Sequence, residues 1–204
     1  MARIFFFIDG LNLYHAFDDH QQYRKYKWIS VAKLCKCYVT DKQDSISGIE
    51  YFTALATWDP GKVLRHRLFI KAQENDGVEI VYGEFKIRDR KCRICKKDYK
   101  SPEEKQTDVN IAIHLFELAI KDRYDKAIVI SGDTDLLPAI KAVRRMFPSK
   151  QVGVVIPIGR ASEDLKKQTD FHYRMREKHL ISSHYSDVVP LVDGSILTCP
   201  PNWK

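Results

Sequence analysis

The chain has 204 residues, of which 44% are hydrophobic and 30% charged, with a net charge of +7. That length supports one well-buried core, and that composition excludes a disordered chain. The positive balance favours a polyanionic partner, because cations that neutralise phosphates release counterions.

Strand and helix signals then alternate along the chain, the pattern of an α/β fold with a mainly parallel sheet. Residues 2–9 read as a first strand, continuously apolar as for a strand buried on both faces. A short helix over 11–17 follows, then a second over 30–38, capped by Ser30 with Val31, Leu34 and Cys35 on one face. Residues 48–56 form the second strand. The helix over 60–74 has Asp59 as cap and Pro60 at its first position. Residues 77–85 are the third strand.

The stretch 86–106 breaks this rhythm. It is highly charged, carries Cys92 and Cys95, and reads as a basic insertion or long loop. Within it, Ser101-Pro102-Glu103-Glu104 fits a capping box for the helix that follows, with Pro at the first helical position. That helix places Val109, Ala112, Ile113, Phe116, Ala119 and Ile120 at helical spacing, and Ile111, Leu115 and Leu118 widen the apolar face. A strand over 126–131, a helix over 136–147, a strand over 151–158 and a short helix over 162–168 complete about five strands flanked by helices. The pattern weakens from Asp170 onward. The economical division is one domain over 1–185 and a C-terminal tail over 186–204, docked or loose.

Two strands end in acids: Ile4-Phe5-Phe6-Phe7-Ile8-Asp9-Gly10 and Ala127-Ile128-Val129-Ile130-Ser131-Gly132-Asp133-Thr134-Asp135. In open α/β sheets, ligands bind beyond the carboxyl ends of the strands, where strand order reverses. If these strands are neighbours, Asp9 and Asp133 converge there. Crowded carboxylates raise one another's pKa and favour a bound cation, and hard oxygen donors point to Mg²⁺ or Mn²⁺. Such a pair of ions suits phosphodiester hydrolysis, activating water and stabilising the leaving oxygen. Each acid also has a plainer reading. Asp9-Gly10 is a turn signal, and Asp135 stands where a helix cap belongs before Leu136. Asp108 suits the first turn of a helix, yet it continues the Ile111–Leu115–Leu118 stripe toward the sheet.

Three segments in order, Ile8-Asp9-Gly10-Leu11-Asn12-Leu13, Glu103-Glu104-Lys105-Gln106-Thr107-Asp108-Val109-Asn110 and Ser131-Gly132-Asp133-Thr134-Asp135-Leu136, resemble the NYN-domain branch of the PIN-like nucleases, LabA-like proteins included. The resemblance runs from about residue 2 to 180. It implies a Rossmann-like sheet and divalent-metal-dependent endonuclease activity, usually on RNA. It puts the catalytic and metal-binding acids at Asp9, Asp108, Asp133 and Asp135, with Asn12, Ser131 and Lys105 toward the substrate. Asp170 resembles a further acid near the site, and Glu104 is either an acid of the site or part of the capping box.

Cys92 and Cys95 have metal-knuckle spacing, and Cys35 and Cys37 could complete a structural zinc site; buried or idle thiols are the alternative. The run Ile4–Ile8 is too short for a signal-peptide core or a membrane span, so the protein is expected in the cytoplasm, with thiols reduced. Basic clusters at Lys86, Arg88, Arg90, Lys91, Arg93, Lys96, Lys97 and Lys100, at Lys62, Arg65, Arg67 and Lys71, and at Arg174, Arg176 and Lys178 would track a phosphate backbone. The function expected is an endoribonuclease using Mg²⁺ or Mn²⁺ and leaving 5′-phosphate and 3′-hydroxyl ends, in RNA processing or decay or as a toxin or defence effector. It would act alone or as a homo-oligomer. A non-catalytic RNA-binding module and a nuclease acting on DNA are the alternatives. A dinucleotide-binding protein is disfavoured, because Asp9-Gly10-Leu11-Asn12 replaces the Gly-rich turn.

Overall fold

The computed structural model describes residues 1–203. Its first strand, β1 (Arg3–Asp9), is apolar on both faces, and this fixes the architecture: Ile4, Phe6 and Ile8 join one core cluster while Phe5 and Phe7 join another. A strand of that kind is stable only at the centre of a sheet covered on both sides. β2 (Ser45–Thr53) and β3 (Glu79–Tyr82) extend the sheet on one side of β1. β6 (Lys126–Ile130), β7 (Gln151–Ile156) and β8 (Phe171–Arg174) extend it on the other. The order is β3-β2-β1-β6-β7-β8, with every pair parallel. This is the doubly wound order, and it reverses between β1 and β6. β8 is the one strand of this sheet that the sequence pattern does not announce, because its four residues lie at the edge and are at most partly buried.

Helices α1 (Gly10–Asp18), α2 (Val31–Lys36), α3 (Pro60–Asn75) and α7 (Glu177–Ser183) cover one face, contributing Leu13, Leu34, Phe69 and Leu180 to its core. α4 (Thr107–Ile120) and α5 (Leu137–Met146) cover the other through Ile111, Leu115, Ile140 and Val143, with Leu165 from α6 (Glu163–Gln168). The expected caps form: Ser30 Oγ accepts from Lys33 N at 3.2 Å and Asp59 Oδ1 from Lys62 N at 2.9 Å. α4 departs from expectation in its buried face. Ile111, Leu115 and Ala119 point inward, whereas Val109, Ile113 and Ile120 are exposed. Apolar residues ring this helix, and the sheet decides which of them it covers.

The stretch 86–106 is neither loop nor helix start. β4 (Glu84–Lys91) and β5 (Asp98–Lys105) form an antiparallel hairpin in full register, Glu84 opposite Lys105 and Lys91 opposite Asp98. Pro102 pairs with Ile87 inside β5 and opens no helix; it is tolerated because a two-stranded ribbon has only edge strands. The hairpin springs from the carboxyl end of β3 and returns to the start of α4, so its root stands over the carboxyl edge of the sheet.

Residues after 185 pack onto the main core. β9 (Val188–Pro190) and β10 (Ile196–Thr198) form a short hairpin that buries Val189, Leu197 and Cys199. Beyond it, the Trp203 ring lies 6.4 Å from Trp28 and 6.2 Å from Phe69. Among the described residues, no helix is long and apolar enough to cross a membrane.

Candidate active site

The chain reversal between β1 and β6 opens a crevice at their carboxyl ends, and the residues just past both strands meet there. Asp9 ends β1 and caps α1, accepting from Asn12 N at 2.9 Å. Its other oxygen accepts from Ser131 Oγ at 2.8 Å, and the same hydroxyl accepts from Asp133 N at 3.0 Å. Asn12 Oδ1 accepts from Gly132 N at 3.1 Å. The two acid-bearing loops are thus stitched together by Ser131 and Asn12.

Gly10 is needed for this closeness, and Gly132 eases it. A Cβ at Gly10 would sit 2.4 Å from the Tyr51 ring and 2.6 Å from the Phe52 carbonyl oxygen. At Gly132 it would press on Arg160 Cβ at 3.3 Å and Asn12 Oδ1 at 3.5 Å.

Asp9, Glu104, Asp108 and Asp133 line one cleft of about 500 Å³, together with Asn12, His15, Thr134 and Arg160. Burial pushes the Asp9 carboxyl from 3.8 up to about 6, with Asp133 and Glu104 adding to the rise against two stabilising hydrogen bonds. Asp108 is also pushed up to about 6, by desolvation first and then by Asp9, Asp133, Glu104 and Asp135. Groups that repel one another in this way have an affinity for a cation. Asp135 is exposed in the short 3₁₀ turn Thr134–Leu136 and reaches the cluster only through its field. It is not the cap expected of it. Asp133 takes that role, accepting from Asp135 N at 2.9 Å.

Other predicted residues fall differently. Ser131 is fully buried, and its hydroxyl is engaged by Asp9 and by Asp133 N. Lys105 turns its ammonium to Glu103 at 2.6 Å and is not part of the cleft lining. Asp170 stands at the opposite, amino edge of the sheet. It accepts from Val152 N at 2.8 Å and from Arg144 Nε at 2.9 Å, joining α5 to the starts of β7 and β8. The four cysteines do not assemble. Cys35 is buried in the core with its thiol pushed well up by desolvation. Cys37 contacts Ser182 at 3.5 Å. Cys92 and Cys95 face each other at the tip of the β4–β5 hairpin, where backbone N–H groups lower the Cys92 thiol.

Among the described residues, no three His, Cys, Asp or Glu side chains converge closely enough to hold a metal ion. The cleft nonetheless offers the donor set a hard divalent cation takes, four carboxylates and no thiolate. Asp108 accepts no side-chain hydrogen bond among the described residues, leaving its oxygens available.

Glu104 was readable as an acid of the site or as part of a capping box, whereas two other residues of the cleft, His15 and Arg160, carried little signal in the sequence. Glu104 reaches it from the hairpin's returning strand while also accepting from Thr107 N at 2.9 Å. His15 lies three residues past Asn12 on α1, a helical spacing that puts both toward the cleft. Arg160 follows β7 and pairs with Asp19 at 2.8 Å, and its buried Nε has no hydrogen-bond partner among the described residues.

A doubly wound sheet whose switch point holds clustered carboxylates in place of a Gly-rich phosphate turn is the architecture of the PIN-like nuclease superfamily. Residues 3–176 match the NYN domain, and the chain belongs to that family. It is 25% identical over 185 residues to 6-hydroxy-3-succinoylpyridine 3-monooxygenase HspA of Pseudomonas putida (strain DSM 28022 / S16), a match covering 74% of this chain and 58% of that protein. The crystal structure of a protein of unknown function from Vibrio parahaemolyticus superposes with a TM-score of 0.61 at 18% identity, covering 86% of this chain and 94% of that one. That likeness concerns the fold alone.

Proposed function

We propose that the protein is an endonuclease that hydrolyses RNA phosphodiester bonds with the help of Mg²⁺ or Mn²⁺ bound among Asp9, Glu104, Asp108 and Asp133. The observation that carries this reading is the gathering of four carboxylates in one cleft, two of them pushed up to about 6 by burial and mutual repulsion. When bound, a divalent cation supplies a nucleophile from water and charge stabilisation for the leaving oxygen. Asp9 is held rigid by Asn12 and Ser131, and Asp108, Asp133 and Glu104, which line the same cleft, are the other residues that would hold the ion. Arg160, on the cleft wall and paired with Asp19, would offer its guanidinium to a phosphate oxygen of the strand in exchange for that pair. The basic hairpin beside the cleft carries Lys86, Arg88 and Arg90 in exposed, weak ion pairs with Glu84 and Glu103, which a nucleic-acid backbone would compete for. The choice of RNA over DNA rests on the family.

The test is Mn²⁺-dependent cleavage of single-stranded RNA, structured RNA and DNA by wild type and by Asp133→Asn. Loss of at least about 10²-fold in rate on RNA is expected of the variant, the scale seen when one electrostatic group is removed from such a site. Equal rates would sink the assignment.

A second reading comes from the relative named as a monooxygenase of a pyridine. A cavity of about 410 Å³ whose wall includes Tyr51, Trp58, Phe69 and Phe85 adjoins the acid cleft and favours it. This chain spans only 58% of that relative. Oxygen uptake dependent on a heteroaromatic acid and a two-electron reductant, without cleavage of any nucleic acid, would select it.

A further inference from the structure

The cavity just mentioned adjoins the acid cleft, and Leu11 and His15 line both. At about 410 Å³ it lies within the ~300–1,000 Å³ range of ligand sites. Trp58 stands in its wall, 41% exposed, with its ring edge-on to Phe85 at 4.8 Å. Tyr51 and Phe69, 5.6 Å apart, continue the aromatic lining. An exposed tryptophan facing a cavity, in a protein that buries Trp28 fully, is placed for a planar partner.

Charge narrows the class. The one carboxylate of the lining, Asp18, is neutralised by the buried Lys27 ammonium. Lys62 and Arg65 stand on the α3 side with no ion-pair partner among the described residues. The occupant is therefore planar, aromatic and linked to negative charge. Polar groups lie in the wall as well. His66 Nε2 is 3.1 Å from Thr53 Oγ1, and burial lowers the imidazole to about 4, so it stays neutral and can hydrogen-bond a ring edge.

We infer that this cavity is a subsite for one unpaired nucleobase of a single-stranded nucleic acid, stacked on Trp58, with its phosphate held by Lys62 and Arg65 while the chain continues into the acid cleft. The inference rests on the nuclease reading, and it adds that the protein engages unpaired strand next to the point of cleavage. A base inside a duplex is stacked on both faces and has none to offer Trp58. Stacking on an aromatic side chain also tolerates any base, so selectivity is for single strands and not for sequence.

The experiment uses the full chain carrying Asp133→Asn, which separates binding from turnover. Anisotropy with a labelled single-stranded decanucleotide compares this protein with versions also carrying Trp58→Ala or Trp58→Phe. The alanine change is expected to weaken binding on the order of 10-fold, and phenylalanine to preserve most of it. Tryptophan fluorescence supplies a second arm: uridine 5′-monophosphate should quench saturably, and ribose 5-phosphate should not. Equal affinity for the alanine version overturns the inference. So does saturable quenching by nicotinate with none by the nucleotide, which would give the cavity to a small heteroaromatic acid. If wild type cleaves nothing while base-dependent binding persists, the nuclease reading fails and the base subsite stands.

Discussion

Asp9→Asn is expected to stabilise the protein at pH 7 when divalent ions are chelated. Asp9 is only 4% exposed, and its carboxyl rises from 3.8 to about 6 chiefly because burial strips it of water. An acid whose folded pKa exceeds its unfolded value contributes stability that is present below the unfolded value and lost as pH climbs through the folded one. The loss for Asp9 therefore falls between 3.8 and about 6. Above that window the ionised carboxylate costs the fold about 3 kcal/mol, since each tenfold change in proton affinity is worth about 1.4 kcal/mol. Asparagine keeps the shape and can still accept from Asn12 N while its amide donates to the Ser131 hydroxyl, so no cavity opens. Urea unfolding in EDTA, stepped from about pH 4 to 8, measures the difference between variant and wild type. That difference should rise from near zero at the acid end to about 3 kcal/mol near neutrality. A flat difference, or a wild type that is the more stable at pH 7, would refute the account of a charge buried under strain.

The remaining predictions separate the residues that build the site from those that only resemble parts of it. Ser131→Ala removes the hydroxyl that joins Asp9 to Asp133 N, and is expected to cost about 1–3 kcal/mol in urea unfolding and to lower the cleavage rate without changing substrate affinity. A rise in the dissociation constant with an unchanged rate would mean that the hydroxyl meets substrate after all. Asp170→Asn breaks the tie to Arg144 at the far edge of the sheet; it should lower stability by about 1–3 kcal/mol and leave the rate per folded molecule unchanged. A rate loss comparable to that of Asp133→Asn would return Asp170 to the site.

Asp9 and Asp133 were legible in the chain because each follows an uninterrupted apolar strand, and in a parallel sheet the residues just past such strands share one edge. The same logic made the α/β class and most element positions readable, since burial on both faces and helical spacing are local properties. Where local signals competed, the sequence was silent. The β4–β5 hairpin depends on pairing Glu84 with Lys105, twenty-one positions apart, and no short-range pattern outweighs the capping signal of Ser101-Pro102-Glu103-Glu104. The inward face of α4 was legible only in part: the Ile111–Leu115 stripe read toward the sheet, but Val109 and Ile113 read as apolar face as well. Val109 and Ile113 are as apolar as Ile111 and Leu115, and only contact with the sheet chooses between them.

By itself, then, the sequence determined a doubly wound α/β chain of the NYN family with acids at the ends of its two central strands. The tertiary structure decided which other groups reach them. Glu104 arrives on the returning strand of the hairpin, and Arg160 on the loop after β7. Asp170 is drawn off to Arg144, and Cys35 is sealed in the core, out of reach of Cys92 and Cys95. The reason is physical: strand direction is written in local hydrophobicity, whereas the meeting of distant side chains depends on how every element between them packs.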